Sequence, residues 1–375
     1  MNRLTPRHPL PPFSSTIALV KTWDVIIVGG GIIGLSLAIA LRRRGAKVLV
    51  VERGEPGREA SHAAGGMLVD CPSETNPALQ ELASASATMY PEFARELEVE
   101  AATKVDLRDQ GTIVVSPADH EMAMGTPLTA NEIATLEPSF DHGNRPCFYL
   151  KERSVDPRAL TAAALKTAKN RRVDFSSGDP VTSINISDDQ VVGVTTTKTS
   201  FLAEKVVNCA GAWSSQLGPH AIPTRPVKGQ MLCLVMHPRD LIQHVIRTPD
   251  VYLIPRTDGR LLAGATVEEA GFDKRTIPST IQHLHHAALK LAPKLSQARI
   301  LEDWAGLRPG TPDNLPILGA TETPGYYVAT GHFRDGILLA PITAEVMADV
   351  VNGEKPHHDV SAFSPLRFQP RSMSS

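Results

Sequence analysis

Cysteine is scarce and scattered. Cys71, Cys147, Cys209 and Cys233 form no C-x-x-C pair, which excludes a disulfide framework or a zinc finger as the organising feature and leaves reduced, buried thiols as the expectation. No apolar run approaches the roughly 20 residues of a membrane-spanning helix. Net charge is nearly absent as well, and −2 gives no reason to expect nucleic acid or an anionic membrane as partner. His283 and His286 stand three apart on an expected helix, Ile281 to Leu291, with no further ligand evident near it; a solvated polar face is expected there, and no metal. There is no internal repeat and no low-complexity tract. In the first 22 residues Pro9, Pro11 and Pro12 interrupt what apolar run exists, and no small-residue cleavage site follows. A disordered tail rather than a signal peptide is therefore expected, with the cytoplasm as the compartment.

What is present begins at Val25. Val25-Ile26-Ile27-Val28 reads as a strand buried on both faces. Gly29, Gly31 and Gly34 follow it with G-x-G-x-x-G spacing. The first permits a tight turn, the second lets backbone approach a pyrophosphate, and the third lets the next helix sit close to the strand. That helix, about Ile32 to Arg44 and beginning Ile32-Ile33, presents N-terminal amides to phosphate. A second apolar strand ends in Glu52, 18 residues beyond Gly34, where an acid accepts hydrogen bonds from ribose hydroxyls and repels a 2′-phosphate. Arg53 is adjacent. Small residues then dominate from Gly57 to Met67, including Ala60, Ser61, Gly65 and Gly66, and suit backbone lying against a flat ligand.

At 375 residues two joined domains are expected. Asp156-Pro157 starts a helix. Short strands follow near Val173, Val181 and Val191, and an apolar strand ends at Asn208-Cys209-Ala210-Gly211. Residues 226 to 264 alternate as antiparallel strands, with Gly229-Gln230 and Asp258-Gly259 read as turn signals. The strand Tyr326 to Ala329 leads through Gly331-His332-Phe333-Arg334-Asp335-Gly336 into a last helix, Ile337 to Val351. The expected fold is α/β: a Rossmann-like FAD domain of glutathione-reductase type from residues 23–75, 150–225 and 300–355, and an antiparallel substrate domain from 76–149 and 226–299. Residues 356–375 are expected to be a tail. A glycine turn entering a helix at each end of the chain suits FAD, which must be held at both ends, and no second G-x-G-x-x-G offers a separate nicotinamide site.

Four stretches, Val28–Gly34, Ala63–Met67, Trp304–Asp313 and Gly331–Pro341, resemble the D-amino acid oxidase family of FAD-dependent amine oxidases, and within it the glycine-oxidase-like branch. The resemblance spans about Asp24 to Glu354. It implies that Arg308 pairs with a substrate carboxylate, a use that suits the guanidinium fork. It further implies that Tyr252 orients that carboxylate, that Arg334 is a second active-site arginine, and that residues 332 to 338 (His332, Phe333, Arg334, Asp335, Gly336, Ile337, Leu338) contact the flavin. The implied reaction is hydride transfer from Cα of glycine, sarcosine or a small D-amino acid to flavin N5. Its products are an imine or keto acid, ammonia and, with molecular oxygen as acceptor, hydrogen peroxide; an imine from glycine would feed thiazole synthesis for thiamine. A homo-oligomer is expected. Val267 is expected in the substrate pocket, where a methionine stands in the branch, and Asp335 replaces a familiar asparagine. No cysteine follows Cys233, which excludes the covalent flavin of sarcosine oxidases. A dehydrogenase passing electrons to a quinone, or an FAD subunit of an electron-transfer complex, are the alternatives.

Overall fold

The computed structural model describes residues 22–116 and 125–368; the expected N-terminal tail falls almost wholly outside them. The buried run Thr22–Val28 lies mid-sheet, parallel to Val48–Glu52 on one side and to Ser200–Asn208 on the other. The full order is Ile317–Ala320, Tyr326–Thr330, Ser200–Asn208, Thr22–Val28, Val48–Glu52, Asp174–Ser177, with the hairpin Val181–Ser187/Gln190–Thr196 added on Ser200–Asn208. The strands are continuous in apolar residues because both faces are covered: helices pack one face, and the hairpin's apolar residues join the other.

The second sheet has eight strands, in the order Arg299–Gly310, Arg225–Val235, Arg260–Gly264, Tyr252–Pro255, Val245–Arg247, Thr112–Val115, Cys147–Leu150, Thr126–Leu128. All neighbours are antiparallel except Val245–Arg247 and Thr112–Val115. Helix Pro278–Leu291 covers one face through Leu284, Ala288 and Leu291, and its His283 and His286 are exposed.

Several boundaries differ from the sequence reading. Arg299–Gly310 belongs to the second sheet, paired along its length with Arg225–Val235, so the first sheet resumes only at Ile317. Helix Gln80–Ala101 packs into the core of the first domain through Leu82, Tyr90 and Leu97. Its Pro91 leaves the Ala87 carbonyl without a helical donor, and Arg153 Nη1 approaches that oxygen at 3.4 Å. Residues 361–368 are no loose tail: Phe363 is buried in the same core and Arg367 pairs with Asp313 at 2.9 Å. The last helix begins at Ala340, after a turn through Gly336–Leu339. Gly229-Gln230 is not a turn but lies mid-strand.

Candidate active site

Between the sheets lies a cavity of about 820 Å³, near the top of the usual range for small-molecule sites, roughly 300–1,000 Å³. Gly29, with φ +111°, makes the tight turn, and any Cβ there would strike the Cys209 carbonyl. Gly31 caps helix Ile32–Arg43 in extended backbone, and a side chain on it would crowd Ser61 Oγ. That hydroxyl accepts from Ile32 N at 2.9 Å. A phosphate held at this helix start would find the free first-turn amides of Gly31 and Ile33, since that of Ile32 is engaged by Ser61. Gly34 does not line the cavity; a Cβ there would collide with the Gly29 carbonyl, so its role is close helix–strand packing.

Glu52 is buried at the end of its strand and lines the cavity. Oε2 accepts from Gly30 N at 2.8 Å and Oε1 from Gly54 N at 2.9 Å. These bonds fix the carboxylate and leave each oxygen a lone pair for a ribose hydroxyl. Arg53 stacks on Trp213, 3.6 Å from its ring centre. Ala60, Ser61, Gly65, Gly66, Met67, Val181 and Gly211 continue the wall. Arg256, 2% exposed, donates from Nη2 to the Gly65 carbonyl at 2.5 Å and so pins the small-residue segment.

At the far end His332, Phe333, Arg334, Asp335, Gly336 and Ile337 line the cavity. Ser86 Oγ donates to the Leu338 carbonyl at 2.6 Å and Tyr90 Oη to that of Ile337 at 2.7 Å. Leu338 itself packs into the core and does not reach the cavity, which corrects its assignment as a contact. His332 is buried, meets Thr343 Oγ1 at 3.1 Å, and is pushed down to about 3 by burial, so the imidazole is neutral. Burial pushes the Asp335 carboxyl up to about 6, with the Arg334 charge opposing. Arg334 is exposed and stands at the rim.

The second sheet supplies the remaining wall. Arg308 Nη1 donates to the carbonyls of Thr266 at 3.0 Å and Lys228 at 3.3 Å. Its guanidinium lies flat over Gly229, where any Cβ would overlap it. Tyr252 is beside it: burial raises the phenol's pKa, and the Arg308 and Arg334 charges pull it back. Tyr252 Oη approaches Met231 Sδ at 3.2 Å. Burial likewise lowers the Arg308 pKa, with Tyr252 opposing. Val267 departs from expectation. It is 55% exposed and off the cavity, because the chain turns outward after Thr266, whose carbonyl serves Arg308. Gly229, Met231 and Arg247 line the cavity and were not foreseen; a glycine inside a long alternating strand was the available signal for the first.

These residues suit an elongated dinucleotide: a glycine turn and acid at one end, an amide-rich turn at the other, and a cationic fork beside it. A family model described as FAD dependent oxidoreductase (DAO) matches residues 24–350. The chain belongs to this family, and its cofactor is FAD. Among its relatives, the chain is 33% identical to the glycine oxidase of Geobacillus kaustophilus over 93% of this chain and 98% of that one. The crystal structure of that enzyme superposes with a TM-score of 0.88 at 31% identity, covering 93% and 100% of the two chains. The bifunctional protein ThiO/ThiG of Trichormus variabilis is 35% identical over 93% of this chain, which spans only 55% of that relative. The hydrogen cyanide synthase subunit HcnC of Pseudomonas aeruginosa is 31% identical over 93% and 97%.

Proposed function

We propose that the protein is an FAD-dependent oxidase of a small amino acid, with glycine as the reference substrate and sarcosine or small D-amino acids as further ones. One observation carries the reading: the Arg308 guanidinium fork, seated over Gly229 by two backbone carbonyls and flanked by Tyr252, faces the cofactor cavity. A planar carboxylate matches that fork. Arg308 binds the carboxylate and Tyr252 fixes its orientation, which limits the poses of the substrate's Cα and nitrogen. Hydride loss from Cα beside a neutral substrate amine needs no strong general base, and His332, neutral and buried against Thr343, supplies none. FAD, when bound, would supply the hydride acceptor and, once reduced, electrons for oxygen. The imine formed hydrolyses to a keto acid and ammonia (methylamine from sarcosine), or, from glycine, goes to thiazole synthesis; similarity to a ThiO/ThiG protein supports the second route.

The test is peroxide release by the yellow holoprotein in air with glycine, sarcosine, D-alanine and D-proline. Peroxide with glycine leading supports this reading. Similarity to HcnC favours one alternative, an FAD subunit feeding a partner's acceptor. That reading requires the flavin to bleach with an amine and release little peroxide, and such a result would displace oxygen as acceptor. Failure of every amine to bleach the flavin contradicts both.

A further inference from the structure

The cavity extends beyond the carboxylate fork, and its extension is charged. Arg247 lies directly across from Tyr252 in the antiparallel pair, so the two side chains share one face, with their Cβ atoms about 5 Å apart. Arg247 is only 7% exposed yet lines the cavity with Glu74, Thr75 and Thr248. Nη2 alone is engaged, by Glu74 at 3.0 Å and Glu152 at 3.2 Å. Nε and Nη1 have no partner among the described residues. Two bare donors on a buried guanidinium are costly and call for an explanation. Glycine, held at Arg308, has no group to offer them.

We propose that Arg247 is the anchor of a distal subsite for a second anionic group, so that the preferred substrates are amino acids carrying a further carboxylate on nitrogen or on the side chain. The proposal rests on the amine-oxidase reading for the near carboxylate at Arg308. Glu74 occupies the subsite in the absence of ligand. Its side chain is 38% exposed, whereas that of Glu152 is 4% exposed. An incoming carboxylate therefore displaces Glu74 and leaves Glu152 as the fixed counter-ion. Electrostatically the exchange is even, one carboxylate for another; Nε and Nη1 are enclosed while Glu74 is in place, and its departure opens them to the ligand, which adds bonds to donors that now have none.

The test separates the subsite from the reaction. Acetate probes the Arg308 fork alone, and succinate probes both arginines. Competitive inhibition constants of the wild-type holoenzyme are measured for each, along with kcat/KM for sarcosine and iminodiacetate. Succinate should bind at least about tenfold more tightly than acetate, and iminodiacetate should exceed sarcosine by a similar factor. Glu74→Gln, on an exposed side chain, should widen the succinate-to-acetate ratio because the competing charge is gone. Arg247→Met should collapse that ratio. Equal binding of the two acids in wild type and in Glu74→Gln overturns the subsite even where glycine is oxidised well. If no amine is oxidised, the reaction reading fails, and the inhibitor ratio, measured as displacement of the flavin spectrum, still decides the subsite.

Discussion

In the proposed function Arg308 both binds and aligns the substrate carboxylate, and both depend on a neighbour with no side chain. Truncation to alanine removes a charge-assisted pair in a buried setting, a loss of about 2–5 kcal/mol. We therefore expect Arg308→Ala to raise KM and lower kcat together; steady-state kinetics that leave both unchanged would remove the fork from the site. Gly229→Ala should mimic part of that loss, because its Cβ must displace the guanidinium, while FAD remains bound. Glu52→Gln should weaken FAD retention on gel filtration, since two backbone amides would lose a charged acceptor. Asp335 gives a pH signature. Its folded pKa is pushed up to about 6 from an ordinary 3.8, so its contribution to apoprotein stability is full below pH 4 and declines as pH rises through 6. Thermal melts of wild type should show that decline, and Asp335→Asn should lack it.

Asp156 shows how one residue joins elements. It caps helix Pro157–Asn170 by accepting from Arg158 N at 2.9 Å and Ala159 N at 3.3 Å. It also binds Arg260 of the second sheet at 2.5 Å. Asp156→Ala should cost about 3–5 kcal/mol, since a buried pair is broken along with a cap, measurable by denaturant unfolding. The cap was legible in Asp156-Pro157 because capping is local; the link to Arg260, 104 residues away, had no local signal. The same contrast explains the glycines. Gly29, Gly31 and Gly34 serve contacts within one strand–turn–helix unit and could be read from spacing. Gly229 serves a side chain on a neighbouring strand, and in sequence it resembled a turn.

At the scale of the molecule, the parallel strands were legible as apolar runs, and the first sheet draws its strands from widely separated stretches of the chain. Domain membership was less so. Helix Gln80–Ala101 is amphipathic whichever sheet it covers, and only packing places Ser86 and Tyr90 under the turn at Ile337 and Leu338. Val267 was misplaced for a related reason: resemblance fixes a position along the chain, while the direction of a side chain after a strand end depends on the loop that follows. Two sheets thus meet at one cavity, one contributing the cofactor cradle and the other the fork proposed to take the substrate carboxylate. The two contributions are separated by mixing the holoprotein anaerobically with glycine and following the flavin absorbance, for wild type and Arg308→Ala in parallel. This division of labour between the sheets requires rapid bleaching of wild type that saturates with glycine, and bleaching slowed by at least about 30-fold in the variant, the rate equivalent of about 2 kcal/mol. Equal bleaching rates in the two proteins, or none in wild type with any amine, would contradict it.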